Sequence, residues 1–362
     1  MNYNTSVAIN GRSIDMNSPT YFVADIAANH NGNLETAKEL IWLAKEVGAD
    51  AVKFQHFLAD KIVSDYGFRH LGRQSGHQAK WQKSVYETYK DAEFNRNWNE
   101  VLALEARKAG IDYFTSPYDF AAVEELDKYI PAYKIGSGDI TWLEFVEYLS
   151  RLGKPVMIAT GASEMWEVEQ AVETITRYNP NIVLMQCNTN YTGELENFKY
   201  INLNVLKTYA IRYPGMVLGI SDHTPGHTTV LGAISLGARV IEKHFTADNS
   251  QIGPDHAFSM NPATWKEMVD RARELENALG TGIKTVEKNE KETVVLQRRA
   301  VRVKRELESG TVITEDMLEE LRPAPVDAVF PYQKGDILGR RLIADKEKGD
   351  YIKWNEVGEK QC

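Results

Sequence analysis

From Tyr21 onward the chain alternates short runs of β-branched, aliphatic and aromatic residues with longer stretches whose apolar positions recur every three to four residues. The first pattern is that of buried strands and the second that of amphipathic helices. Eight strands are predicted: 21–26 (YFVADI), 51–56 (AVKFQH), 112–116 (DYFTS), 132–136 (AYKIG), 155–160 (PVMIAT), 182–187 (IVLMQC), 217–221 (VLGIS) and 239–244 (RVIEKH). Helices are predicted over Leu34–Val47, Ala121–Tyr129, Glu164–Tyr178, Thr228–Leu236 and Pro262–Leu279. Eight strands alternating with helices over about 260 residues have the size and rhythm of an α/β fold of the (β/α)8 TIM-barrel type. A doubly wound open sheet stands as the alternative, because alternation alone does not prove closure.

Two places break the rhythm. Residues 57–95, which include GHQAKWQKSVYETYKDAEF, are long, polar and aromatic where a tight connection after the second strand is expected. Such a segment reads either as a lid over the catalytic face or as a solvated insertion. After Leu279 the composition shifts to GTGIKTVEKNEKET, charged and poor in core residues. The expected division is therefore an N-terminal segment 1–20, a barrel 21–281, a linker 282–297 and a small module 298–362. In that module short strands are predicted around Arg299–Lys304, Ile313–Leu318, Ile337–Gly339 and Tyr351–Lys353.

Composition narrows the class. The 362 residues carry 42 Lys and Arg against 51 Asp and Glu, a net charge of −9, with 43% hydrophobic residues. That is too apolar for a disordered chain. No apolar run reaches the 18 or so residues of a membrane span, so no membrane insertion is expected. An acidic chain without a basic face argues against a nucleic-acid partner. Two cysteines, Cys187 and Cys362, build no disulfide framework, and the expected compartment is cytoplasmic.

Barrel enzymes work at the C-terminal ends of their strands, and here those ends are polar. They carry Asp25, Asn29 and His30, Lys53, Gln55 and His56, Thr115 and Ser116, Lys134, Ser137 and Asp139, Thr160 and Gly161, Tyr191, Ser221, Asp222 and His223, and Glu242, Lys243 and His244. Stability alone would fill such positions with apolar side chains. His223 and His244 close the last two strands, neighbours in a barrel, so their imidazoles can converge on one Mn2+ or Mg2+ ion. Asp222 and Glu242 are candidates to orient them. Lys53 and Lys134 project to one rim and cannot favourably share a dry pocket without an anion. With Thr115, Ser116, Ser137, Thr160, Gly161 and Ser221 they offer the donors of a phosphate cradle. His30 and His56 read as supports of the rim, His70 and His77 as loop residues, and His227 and His256 as hydrogen-bonded structural histidines.

The runs DIAANHNGNLETAKELI, GADAVKFQ, FTSPYD, IPAYKIGSGD, GKPVMIATGAS, GISDHTPG, LGARVIEKHFT and GPDHAFSMNP resemble the sialic acid (N-acetylneuraminate) synthase family, in order and spacing. The tail RAVRVKRELESGTVITEDMLEELRP is similar to the antifreeze-like (SAF, β-clip type) domain of that family. The resemblance implies a TIM-barrel transferase that condenses phosphoenolpyruvate with an N-acylated amino sugar, giving a nine-carbon 2-keto acid and phosphate. It implies His223 and His244 as ligands of a divalent metal, most often Mn2+, and Lys53, Lys134, Thr115, Ser137, Thr160, Gly161 and Ser221 as the phosphoenolpyruvate site. Gln55, Tyr191 and Asp255 would meet the sugar, with Glu242 in the same substrate-binding set. Asp25 and Asp139 would be the catalytic carboxylates. Arg322 would reach the barrel mouth of a partner in a domain-swapped homodimer.

Three positions depart from the pattern. Asp25 and Asp139 stand where the family has Glu, each shorter by one methylene, about 1.5 Å of reach. Thr189 stands where the family places a sugar-contacting Asn. These bear on the acceptor, N-acetylmannosamine or a diacetamido-trideoxy hexose, more than on the reaction. Two other classes remain in view at this point. A metal-dependent barrel hydrolase acting on phosphate or amide would leave the two lysines without a task, and a non-catalytic carbohydrate-binding protein would leave the polar rim unexplained.

Overall fold

The computed structural model describes residues 2–72, 78 and 81–360. His77 and Cys362 lie outside the described residues. The chain forms two compact units, 1–280 and 281–362.

The first unit opens with an antiparallel hairpin, β1 (Val7–Ile9) and β2 (Arg12–Ile14). Its turn is Asn10-Gly11, with φ of 47° and 82°. Two central residues at positive φ give the turn whose twist matches the flanking strands, and Asn-Gly is the pair that reaches it at least steric cost.

Eight parallel strands follow: β3 (Tyr21–Asp25), β4 (Ala51–His56), β5 (Asp112–Pro117), β6 (Tyr133–Ile135), β7 (Val156–Ala159), β8 (Ile182–Cys187), β9 (Val217–Asp222) and β10 (Ala238–His244). They pair in sequence order, and β10 pairs back onto β3 with Val240 opposite Tyr21. The sheet is closed, which decides for the barrel over the doubly wound alternative. Helix α1 (Leu34–Glu46) follows β3. Among the described residues after β4 come the α-helices α2 (Ala59–Ile62), α3 (Asp65–His70), α4 (Val85–Asp91) and α5 (Asn99–Ala109). One helix follows each later strand: α6 (Phe120–Leu126), α7 (Leu143–Arg151), α8 (Met165–Tyr178), α9 (Val205–Arg212), α10 (Thr228–Ser235) and α11 (Pro262–Leu279). The described residues of 57–95 thus carry three short α-helices. One of them, α4, starts on a Ser84/Glu87 capping box written in the sequence as S-x-x-E.

Strand alternation sorts the side chains into two cores. Phe22, Val52, Phe54, Ile158, Leu184, Ile220 and Ile241 face outward against the helices. Tyr21, Val23, Ala51, Phe114, Met157, Val183, Met185, Val217 and Val240 fill the interior, and Val7, Ile9 and Ile14 of the hairpin close it from below. Burying each such side chain contributes about 1.5–3 kcal/mol. The interior is therefore apolar at the floor, and everything inward-facing above it must be explained by chemistry.

In the second unit α12 (Lys291–Gln297) lies inside the stretch read as linker. Strand β11 (Ala300–Val303) pairs with β12 (Leu318–Leu321), and after α13 (Lys334–Ile337) β13 (Arg340–Leu342) pairs with β14 (Val357–Lys360), both antiparallel. Two expected strands are corrected. Ile313–Leu318 joins a strand only at Leu318, and Ile337 ends a helix. Both are buried in the small core with Val301, Val303, Val329, Leu342 and Ile352, so the apolar pattern reported burial rather than strand. Tyr351 and Lys353 make isolated bridges only. Among the described residues no helix is long and apolar enough to cross a membrane.

Candidate active site

The period of two that makes the floor apolar turns the next inward positions polar. Asp25, Lys53, Gln55, Ser116, Lys134, Ser221, Glu242 and His244 continue the interior rows of Val23, Ala51, Phe114, Ala132, Gly219 and Val240. Each sits one or two rungs above the apolar layer.

These groups form one charged network. Lys53 Nζ donates to Asp25 Oδ2 at 2.6 Å, lies 3.4 Å from Ser116 Oγ, and stands 3.7 Å from Glu242 Oε1. Lys134 Nζ donates to the same Glu242 oxygen at 2.8 Å, as does Ser221 Oγ at 3.1 Å. Glu242 is thus the anion that two buried ammonium groups share, and it does not orient the imidazoles as its place in the sequence had led us to expect. Burial opposes charge on Glu242 and Asp25, but the ammonium of Lys134 for one and of Lys53 for the other hold both carboxyls below the usual range. Burial likewise works against the Lys53 ammonium, and Asp25 and Glu242 overcome it, raising its pKa. Gln55 Nε2 adds a hydrogen bond to Asp25 Oδ2 at 3.0 Å.

The two histidines sit beside this network, ring centroids 5.4 Å apart. His223 Nδ1 donates to the Asn188 carbonyl at 2.9 Å, which leaves the Nε2 lone pair free. His244 Nε2 is 3.6 Å from Asp25 Oδ2, its Nδ1 is 3.9 Å from Asp255 Oδ2, and that buried Nδ1 has no hydrogen-bond partner. Burial lowers both pKa values, that of His244 to about 3, so both rings are neutral at physiological pH. Two neutral imidazoles with unused lone pairs fit a divalent ion that takes its remaining ligands from water and substrate. Among the described residues no group of three or more His, Cys, Asp or Glu side chains converges as a metal site.

Above lies a cavity of about 380 Å³. Gln55, Ser137, Asp139, Tyr191, His244 and Asp255 line it from the barrel, and Phe57, Ile62, Trp81 and Tyr89 line it from the segment after β4. That segment is therefore a wall of the pocket. Tyr118, also in the lining, was missed in the sequence although it stands in the FTSPYD run. Burial pushes the Asp139 carboxyl up to about 6 and the Asp255 carboxyl up to about 7. The Tyr191 ring lies with its centroid 4.2 Å from that of His223, tilted at 57°. Gly161 N donates to Ser137 Oγ at 2.9 Å, and a Cβ at Gly161 would stand 2.6 Å from Thr189 and 3.1 Å from Cys187. Only glycine lets the backbone come this close. Cys187 is buried, with its thiol pushed up to about 11 by burial, which agrees with an inert packing role.

Two expected substrate contacts are corrected. The side chains of Thr115 and Thr160 point to the outer face: Thr115 Oγ1 meets His56 Nδ1 and the Phe54 carbonyl, and Thr160 Oγ1 meets the Met185 carbonyl at 3.0 Å and Tyr209 OH at 2.9 Å. Residues next to inward positions must face outward, and Ser116 takes the inward place beside Lys53. Asp222 also faces outward, paired with Lys243. His56 is satisfied at both nitrogens, by Thr115 and Asn99. Arg322 is exposed in the second unit.

The model of the NeuB family matches residues 40–284, and that of the SAF domain matches residues 298–358. The chain is 34% identical to the N,N'-diacetyllegionaminic acid synthase of Legionella pneumophila, over 96% of this chain and 98% of that one. It is 30% identical to the human N-acetylneuraminate-9-phosphate synthase, over 94% of each. Among solved structures it is similar to the N-acetylneuraminic acid (sialic acid) synthetase of Leptospira borgpetersenii, with a TM-score of 0.69 and 26% identity over 80% of this chain and 95% of that one.

Proposed function

This chain belongs to the NeuB family and carries a SAF domain, and on that premise we propose that it is a phosphoenolpyruvate-dependent nonulosonic acid synthase. It joins C3 of phosphoenolpyruvate to the aldehyde carbon of an open-chain N-acylated amino hexose, N-acetylmannosamine or a diacetamido-trideoxy hexose. The products are a nine-carbon 2-keto acid and phosphate. The observation that carries the reading is the barrel mouth itself, where two ammonium groups share one carboxylate beside two neutral imidazoles. A barrel hydrolase has no use for that lysine pair.

Lys53 and Lys134 bind the phosphate, exchanging part of their interaction with Glu242 for the substrate anion. Ser137, Ser221 and the backbone at Gly161 complete the cradle. Gln55, Tyr191 and Asp255 hold the sugar under the wall formed by Trp81 and Tyr89. His223 and His244 would hold a divalent metal, Mn2+ in our reading and Mg2+ as the second choice, which when bound supplies Lewis-acid polarisation of the aldehyde. As the C3–C bond forms, positive charge develops at C2 of the enolpyruvyl unit, and the ionised Asp25 faces it. Water adds at C2 and loses a proton to Asp139, whose raised pKa suits a group that both takes and returns a proton near neutrality. Asp139 returns that proton to the former aldehyde oxygen, which becomes a hydroxyl; the C2–O bond to phosphate breaks, and the departing phosphate takes the C2 hydroxyl proton as the ketone forms. Arg322 reaching the mouth of a second subunit, a homodimer built by that exchange, and a cytoplasmic setting where phosphoenolpyruvate is made belong to the same proposal.

Phosphate release from phosphoenolpyruvate and Mn2+ with N-acetylmannosamine, the 2,4-diacetamido-trideoxy hexoses and a 6-phosphorylated amino sugar tests it. Metal-dependent turnover with one acceptor is expected. Silence with all of them, in a protein that binds Mn2+, would overturn it.

A further inference from the structure

We propose that the Asp222–Lys243 ion pair, buried on the outer face of the barrel, is a positioning device for His223 and His244 and sets how tightly the mouth holds a divalent ion. The inference rests on the reading of these histidines as metal ligands.

The register makes the link. Asp222 and Lys243 are directly opposite on β9 and β10. Each precedes a histidine in the chain, so alternation sends the pair outward as it sends the rings inward. The pair lies under α10 with side chains only 1% and 2% exposed. Lys243 Nζ also donates to the Thr224 carbonyl at 2.6 Å. Thr224 N donates to Asp222 Oδ1 at 3.1 Å, and its hydroxyl lies 2.9 Å from both Asp222 oxygens. A carboxylate only accepts, so the Thr224 proton goes to Asp222, and Thr229 of α10 donates to Thr224 across 2.8 Å. The residues before and after His223 are thus tied to each other, to the strand carrying His244 and to the covering helix.

Stability does not account for this arrangement. The surrounding layer is apolar, with Ile220, Val230, Ala233 and Ile241 buried in it. Replacing a buried ion pair there by hydrophobic residues of similar volume is often neutral or stabilising. What charge-assisted hydrogen bonds add is direction, one backbone register for the ends of two strands. That register sets the separation of the two ligands.

The test is Mn2+ binding to the full-length protein by calorimetry and by Mn2+ EPR, alongside thermal melting. Wild type and His223→Ala come first: if wild type shows no histidine-dependent binding, the metal reading fails and not the positioning idea. Given that binding, Asp222→Leu/Lys243→Met is expected to stay folded and to hold Mn2+ about tenfold or more weakly, the scale seen for outer partners of metal sites, with a changed EPR line shape. Lys243→Arg, which keeps charge and reach, restores affinity. If the double variant does not fold, Thr224→Val decides, since it removes the hydroxyl and leaves both charges; a weaker site is expected. Wild-type affinity and spectrum in whichever of the two folds overturns the proposal.

Discussion

The two faces of the barrel's C-terminal rim carry buried polar side chains on the same strands, yet pair them differently. Outside, Thr160 is bonded to a carbonyl and a tyrosine, His56 is held at both nitrogens, and Asp222 is matched by Lys243 and Thr224. Inside, Glu242 Oε2 and His244 Nδ1 are buried without a partner, and two lysines compete for one oxygen. A completed network holds the fold in one arrangement, whereas an incomplete one retains capacity that a ligand can use. Burial alone does not separate these groups; pairing does so for the strand residues named, although His30 Nε2, packed outside against Phe54 and Phe94, is also buried without a partner.

Removing the proton carrier tests the contrast hardest. Asp139→Asn is expected to lower turnover by about 10²–10⁴-fold. In the wild type kcat/KM should rise with pH through about 6, and the variant should lose that limb. The stability effect runs the other way. A carboxyl raised from 3.8 to about 6 binds its proton more tightly when folded, so its contribution is full below about pH 4 and lost as pH rises through about 6. Next in size, Lys134→Met strands Glu242 with Lys53 at 3.7 Å, and denaturant unfolding should show a loss of about 3–5 kcal/mol. Adding Glu242→Leu should recover much of it, which a purely packing role for Lys134 does not predict. Gly161→Ala places a Cβ against Thr189 and should cost about 1–3 kcal/mol while weakening phosphoenolpyruvate binding. Smallest, Tyr209→Phe on the outer face should cost about 1 kcal/mol and leave kcat unchanged. A fall in kcat there would erase the distinction between the faces.

The eight strands were legible because runs such as VLGIS and AVKF are apolar on both faces, which few other environments tolerate. Lys53, Lys134, Glu242 and His244 were legible because charge inside such a run has no bland explanation. Thr115 and Thr160 were misassigned by nearness to a strand end, when their parity relative to Lys53 and Lys134 already pointed them outward. The dipeptide Asn10-Gly11 between VAI and RSI announced a hairpin that the reading of residues 1–20 passed over. The pocket wall was legible only as one of two readings of residues 57–95, a lid or a solvated insertion. Nothing local distinguishes a Trp81 or Tyr89 that lines a cavity from one that packs an insertion, because that is decided by tertiary position.

The hairpin has a consequence in time. Val7, Ile9 and Ile14 are buried against residues contributed by the whole ring, from Tyr21 of β3 to Val240 of β10. On a ribosome these three residues emerge before every barrel strand they pack against, and the surface that shelters them is complete only when β10 has been made. The hairpin must therefore wait for about 230 residues of synthesis, some 10 to 50 seconds at 5–20 residues per second, before it can seat. The bottom of the barrel is sealed last by a segment made before any of its strands.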